Sequence, residues 1–307
     1  MNEPFGRLGF IGLGVMGEPI CRNLAAKSAA AVIAFDLDRE PLRRIAAHGV
    51  TVGASVREVV ESVELVFLSL PSGEVVQQLV HQKEGLLEVV RPGQIIIDLS
   101  TSPVTLTRTL AAEFAAKQVR FIDAPVARTR AAAEAGTLSV MVGADAETYT
   151  RVRPLIATFA TEIALCGGVG CGQVVKILNN MLLFQIGVAL AEVKILGERA
   201  GVAPGLLFEV LSKGSADSFA LRNHGMKAIL PGDFPPRSFS VEYARKDLRY
   251  ALGLARDNGV AARWSHDVDA LFAKAIDAGF GALYWPVVSR LLEGERIVEP
   301  QGENSHG

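Results

Sequence analysis

A short glycine pattern with an acid placed behind it constrains this chain more than any other feature. Gly12-Leu13-Gly14-Val15-Met16-Gly17 follows the apolar run 8–11 and opens a stretch, 15–30, that can form a helix. A Gly-x-Gly-x-x-Gly turn between strand and helix lets a backbone come close to a pyrophosphate, and the unpaired N–H groups and positive end of the helix then hold the phosphates. A second apolar run, 30–35, ends at Asp36, 19 residues after Gly17. A carboxylate at that place accepts hydrogen bonds from both ribose hydroxyls and repels a 2′-phosphate. Strand, glycine turn, helix, second strand and acid in this order predict a dinucleotide site with Gly12, Leu13, Gly14, Val15, Met16, Gly17 and Asp36 as its residues, and NAD as its ligand. A glycine turn with no ligand is the alternative.

The alternation continues through the first half. Apolar runs at 65–70, 94–99, 119–126, 138–142 and 162–166 are short, rich in β-branched residues and bounded by turn formers such as Pro71, Pro92-Gly93, Pro103 and Pro125. Strands alternating with helices predict a doubly wound, mostly parallel sheet covered on both faces. The texture changes near Gly167-Gly168-Val169-Gly170, after which 173–200 runs almost free of helix breakers, followed by helical stretches at 204–211, 241–258 and 266–278. The expected organisation is therefore an α/β dinucleotide-binding domain over 1–168, an all-α substrate and oligomerisation domain over 169–300, and a polar flexible tail over 301–307.

Composition excludes several classes of function. A net charge of -2 with scattered Lys and Arg leaves no electrostatic footprint for nucleic acid or an anionic membrane, and the pairs Arg43-Arg44 and Arg245-Lys246 are expected on solvated helix faces. Three cysteines without Cys-x-x-Cys spacing argue against a disulfide framework and against a metal site. With no leader before the first strand and no apolar run of bilayer length, the expected place is the reducing cytoplasm. His48, His81, His224 and His266 are isolated and expected at the surface, with His306 in the tail; Trp264, Tyr284 and Trp285 are expected to pack the second core.

The long helix supplies the catalytic candidate. Lys176, Asn179 and Asn180 stand at i, i+3 and i+4 and share one face. Apolar residues surround them on all sides, and a helix apolar all round is a buried one. A lysine and two amides there cost free energy unless they meet a polar cavity or a ligand, or unless the lysine snorkels to solvent.

At this point the chain resembles the β-hydroxyacid dehydrogenase family, typified by 3-hydroxyisobutyrate dehydrogenase. The motifs that carry the resemblance span nearly the whole sequence. They are Gly9-Phe10-Ile11-Gly12-Leu13-Gly14-Val15-Met16-Gly17, Asp98-Leu99-Ser100-Thr101-Ser102-Pro103, Phe121-Ile122-Asp123-Ala124-Pro125-Val126 with Gly136-Thr137-Leu138, Gly170-Cys171-Gly172 with Lys176 and Asn179-Asn180, and Lys246-Asp247-Leu248. The resemblance implies an active site in a cleft between a Rossmann domain and a helical domain, in a homodimer or homotetramer. It implies Lys176 as acid/base, Asn179 and Asn180 on the substrate, Leu70 and Thr101 beside the cofactor, and Lys246 reaching it from the second domain. For Lys246, a place in a solvated charge run is the alternative. In the reaction so implied, an alcohol loses a proton from oxygen and a hydride from carbon; desolvation beside a positively charged nicotinamide favours the neutral amine that takes the proton.

One departure is informative. Most of the family has Ser-Gly-Gly after Asp-Ala-Pro-Val; here the loop is Ala127-Arg128-Thr129. A Gly-Arg-Thr loop is similar to that of 3-sulfolactaldehyde reductase, whose arginine grips a sulfonate. Arg128, with Thr129, is thus expected to hold the anionic end of a small hydroxyacid or aldehyde, since guanidinium offers a planar fork of donors; a surface loop arginine is the alternative. Leu183, where that enzyme has a polar serine, implies a more apolar substrate body. The rival functions are an imine reductase, a related class that usually lacks the lysine, and a non-catalytic NAD-binding sensor.

Overall fold

The computed structural model describes residues 5–236 and 238–294; the expected tail over 301–307 and His306 lie outside the described residues. Nine strands form one sheet: β1 (Arg7–Ile11), β2 (Ala31–Phe35), β3 (Thr51–Val52), β4 (Leu65–Leu68), β5 (Ile95–Asp98), β6 (Arg120–Asp123), β7 (Val126–Ala127), β8 (Leu138–Gly143) and β9 (Ala160–Gly167). Their order is β3-β2-β1-β4-β5-β6-β8-β7, with β9 beside β8. The first six strands in that order run parallel to one another, while β8 is antiparallel to both β6 and β7. The strand order reverses at β1, which has β2 on one side and β4 on the other. In an open α/β sheet such a reversal opens a crevice at the carboxyl ends of the strands, and the glycine turn leaves β1 there.

Helices between the strands cover both faces of the sheet: α1 (Gly17–Lys27), α2 (Arg39–Ala46), α3 (Val56–Glu61), α4 (Gly73–His81), α5 (Leu86–Val89), α6 (Val104–Ala115), α7 (Arg130–Ala135) and α8 (Ala146–Ile156). Two apolar layers result, one around Phe10, Phe67 and Phe159 and the other around Phe114 and Phe121. The central strands β4 and β5 are buried along their whole length, as strands covered on both faces must be. The expected run 119–126 is two strands, because Pro125 lacks the N–H that a continuous ladder needs.

The second half is helical: α9 (Cys171–Arg199), α10 (Pro204–Leu211), a π-helical segment (Leu221–Ile229), α11 (Val241–Asp257), α12 (Arg263–Ala275) and α13 (Ser289–Gly294), with a further π turn at Ile276–Phe280 and a 3-10 turn at Trp285–Val288. The chain divides into two compact units, Met1–Asn179 with Tyr250–Ala261, and Asn180–Arg249 with Ala262–Gly307. The core of the second is aromatic, with Phe184, Phe272 and Trp285 in edge-on contact.

Three sequence expectations are corrected here. His224 is buried, 5% exposed, on the π-helical segment with Nδ1 hydrogen-bonded to the Tyr284 hydroxyl; an isolated histidine carries no sign of its burial in sequence. Trp264 is 74% exposed at the start of α12, whereas Trp285 is fully buried. Finally, α9 is long and apolar enough, by length and composition, to cross a membrane, although no unbroken apolar run reaches that length. Its amides and its few charges interrupt the run without lowering the average over a helix-long window; one third (33%) of that window is buried within the chain.

Candidate active site

The glycine turn is shaped by close approach. Gly12 has φ of 94°, and a Cβ there would lie 2.3 Å from the Ser69 carbonyl oxygen; a Cβ on Gly17 would lie 2.1 Å from the Gly12 carbonyl. Only glycine fits either place. A Cβ on Gly14 would meet nothing within 4 Å, so the outer side of the turn is open. Asp36, at the end of β2, accepts from the backbone N–H of Leu13 and from that of Asp38 at 2.7 Å. A depression of about 210 Å³ lies over this turn, lined by Gly14, Asp36, Asp38, Glu18, Arg44 and Arg130 among others. Arg44 is committed to Glu18 through two hydrogen bonds of 2.8 and 2.7 Å, and Arg130 to Glu134 at 3.0 Å. An open glycine cradle with a carboxylate at its rim fits a dinucleotide, and the carboxylate acceptors there fit ribose hydroxyls better than a phosphate ester.

The loops after β4 and β5 are tied together. Leu70 N–H donates to the Ser100 hydroxyl at 2.9 Å, which places Leu70 and Thr101 on neighbouring loops at the carboxyl edge of the sheet. Asp98, fully buried at the end of β5, accepts from the Ser100 N–H at 2.9 Å and from the Ser102 hydroxyl at 3.2 Å. Asp123, fully buried at the end of β6, accepts from the Gly170 and Gln173 N–H groups, each at 2.7 Å, and so caps the start of α9. Burial pushes both carboxyls up to about 6, against the pull of their hydrogen bonds.

Lys176 lies in the second turn of α9 and is 9% exposed, with Asn179 on the surface and Asn180 2% exposed. In the second unit Asn180 donates through Nδ2 to Asp247 Oδ2 at 2.7 Å. Lys246 Nζ lies 3.1 Å from Asp247 Oδ1 and 5.4 Å from the centre of the Tyr243 ring. The ion pair is close, although Asp247 Oδ1 has no hydrogen-bond partner among the described residues. Asp247, 4% exposed, thus joins two candidate residues; the sequence placed it in a motif but did not mark it as a site residue. Leu183 is half-buried and packs against both apolar clusters of its unit.

The 127–129 loop is unusual. Arg128 has φ of 88°, a conformation that favours glycine. Its Nη1 donates to the Thr137 carbonyl at 2.6 Å and to the Thr161 hydroxyl at 3.2 Å. Thr129 caps α7, its hydroxyl accepting from the Ala132 N–H at 3.4 Å.

Comparison with known proteins identifies the family. The sequence profile of the NAD binding domain of 6-phosphogluconate dehydrogenase matches residues 7–168, and that described as the NAD-binding of NADP-dependent 3-hydroxyisobutyrate dehydrogenase matches 170–283. The chain belongs to the β-hydroxyacid dehydrogenase family. It is 34% identical over 254 residues to 2-(hydroxymethyl)glutarate dehydrogenase of Eubacterium barkeri, covering 83% of this chain and 84% of that protein. It is 30% identical to 3-sulfolactaldehyde reductase of Escherichia coli, covering 94% of this chain and 96% of the other. The structure of 3-hydroxyisobutyrate dehydrogenase from Mycobacterium tuberculosis with L-serine superposes with a TM-score of 0.85 at 32% identity, covering 94% of this chain and 99% of that one. The chain is therefore a dehydrogenase of the 3-hydroxyisobutyrate dehydrogenase family, NAD(P)-dependent and acting on hydroxyl groups, with a Rossmann-type first domain and a helical second one.

Proposed function

We propose that this enzyme moves a hydride between NAD and a small anionic hydroxyacid or its semialdehyde, with Lys176 as general acid/base. The observation that carries this reading is Lys176 itself: a lysine only 9% exposed, in the second turn of an apolar helix whose first turn is pinned to the loops at the carboxyl edge of the sheet. A bound nicotinamide supplies hydride acceptance. The chain's own residues do the rest: Lys176 Nζ takes the hydroxyl proton on oxidation and returns it on reduction, while Asn179 and Asn180 orient the substrate. Leu70 and Thr101 line the cofactor, which the 1–168 domain binds. NAD is preferred over NADP because Glu18, Asp36 and Asp38 outnumber the two arginines at the ribose pocket, and both arginines are already paired.

Arg128 holds the substrate's anionic group. Both of its hydrogen bonds leave from Nη1, which keeps the Nε–Nη2 edge for a bidentate anion. A non-glycine residue in this conformation costs about 1 kcal/mol or more, a cost that a purely structural contact would not require. The side chain is exposed, as a group that meets a ligand from solvent must be. The body of the substrate is apolar on the Leu183 side. The enzyme works in the cytoplasm as a homodimer or homotetramer, a second copy covering Leu182, Leu196, Leu206 and Val210, which are 55%, 70%, 56% and 57% exposed.

The test is an NADH-forming screen over short hydroxyacids, including sulfonated and phosphorylated ones, on wild type and two variants. Lys176→Ala lowers kcat by about two to four orders of magnitude, with NADH affinity little changed. Near-normal turnover, or loss of NADH binding together with activity, defeats the catalytic role. Arg128→Ala raises KM for the best substrate by an amount worth about 2–3 kcal/mol and spares a neutral alcohol of the same shape. An equal effect on charged and neutral substrates makes Arg128 a loop residue only.

A further inference from the structure

We propose that Gln173 is a positioning residue that sets the catalytic lysine against the cofactor-side loop. The proposal rests on the reading of Lys176 as acid/base and of Thr101 as a neighbour of the cofactor. Gln173 is fully buried in the first turn of α9, three residues before Lys176 and on the same side of the helix. Its Nε2 donates to the Ser100 carbonyl at 2.7 Å, and its Oε1 accepts from the Ser102 N–H at 3.0 Å. The side-chain amide therefore pairs with the backbone on both sides of Thr101, as a neighbouring strand would. Its own backbone N–H is held by Asp123.

The surroundings leave this staple no slack. Ser100 and Ser102 are held from behind by Asp98, and Ser100 also receives the Leu70 N–H. At the helix end, a Cβ on Gly172 would lie 2.3 Å from the Met141 carbonyl, so the first turn of α9 sits directly on the sheet. Burying a long amide forfeits hydration, which an apolar side chain of the same volume would not forfeit to the same extent. The return is geometric: the segment that carries Thr101 and the turn that leads to Lys176 are joined through one side chain. General acid/base transfer depends steeply on such a distance, so loosening it affects the reaction more than binding.

Gln173→Met keeps the volume and removes both bonds, and Gln173→Glu keeps the acceptor for Ser102 while losing the donor to Ser100. Each is measured against wild type, Lys176→Ala and the Lys176→Ala/Gln173→Met double variant. The readouts are NADH affinity, thermal unfolding, hydrogen exchange over 99–103, and kcat and KM with the best substrate of the hydroxyacid screen. Gln173→Met lowers kcat about 10- to 100-fold with KM and NADH affinity within about threefold, and speeds exchange over 99–103. Gln173→Glu falls between it and wild type. The double variant is no slower than Lys176→Ala alone, because Gln173 acts through the lysine. A Gln173→Met enzyme with kcat within twofold of wild type overturns the proposal, as does a double variant in which the two losses multiply. If Gln173→Met fails to fold, the same criteria apply to Gln173→Glu. Near-normal turnover of Lys176→Ala overturns the catalytic reading instead, whatever the Gln173 variants do.

Discussion

Two buried polar sites, one in each compact unit, are built in opposite ways. In the first, Asp98 and Asp123 sit at the ends of apolar strands and take hydrogen bonds from backbone N–H groups and a serine hydroxyl. In the second, His224 has a partner on one ring nitrogen, the Tyr284 hydroxyl, while its Nε2 and the Nε1 of the adjoining Trp285 have none among the described residues. Desolvation disfavours charge in both places, but it acts on groups of opposite sign. It pushes the two aspartates up to about 6 and the histidine down to about 4. The aspartates hold loops and a helix end where the candidate site is built. His224 is a neutral ring packed among rings.

Asp123→Ala probes the contrast with the largest expected effect. It orphans the Gly170 and Gln173 N–H groups at the start of α9 and costs about 2–5 kcal/mol of stability, read as a shift in urea midpoint. A loss below 1 kcal/mol would mean that the cap is dispensable and that the two units do not differ as described.

The second experiment uses pH. The folded value of His224 lies below its unfolded 6.5, so its contribution is fully present above pH 6.5 and is lost as pH falls through about 4. His224→Phe flattens that part of the curve by about 1–3 kcal/mol between pH 7 and pH 4. An unchanged slope would show that the ring is not desolvated.

For Asp98 the sign is reversed. Its folded value lies above the unfolded 3.8, so the stability it contributes is present below pH 3.8 and is lost as pH rises through about 6. Wild type therefore gains about 2–3 kcal/mol over Asp98→Asn when the pH is lowered from 7 to 4, the value of about 6 already including the opposing pull of the Ser100 and Ser102 hydrogen bonds. The Asp123 charge, nearby, pushes in the same direction. A wild type that loses ground to the variant on acidification would place both units under one rule.

The glycine turn and its acid were legible in the sequence because their spacing is covalent: β1, α1 and β2 follow one another within 29 residues, and nothing distant is needed to form them. Most of the other strands were legible for a related reason, since each is an apolar run bounded by turn residues; β3, only two residues long, had no such signature. Asp98 and Asp123 stood in the quoted motifs without being recognised as site residues. The signal was present, a carboxylate ending an otherwise apolar strand, as it was for Gln173, an amide in the first turn of an apolar helix. The π-helical segment had no counterpart in the sequence pattern, because its backbone is set by what packs on it: Gly225, for instance, faces Phe208, Leu221 and Leu190.

Local order along the chain, then, determined the Rossmann half, the long helix and the face that Lys176 shares with Asn179 and Asn180. Only the tertiary structure decided that Gln173 grips the backbone around Thr101 from 71 and 73 positions away, that Asp247 ties Asn180 to Lys246, and that His224 is neutral in an aromatic core. Periodicity reports which side of an element is apolar. It carries no information on which distant partner satisfies a buried donor, because that choice is made by the packing of the other elements around it.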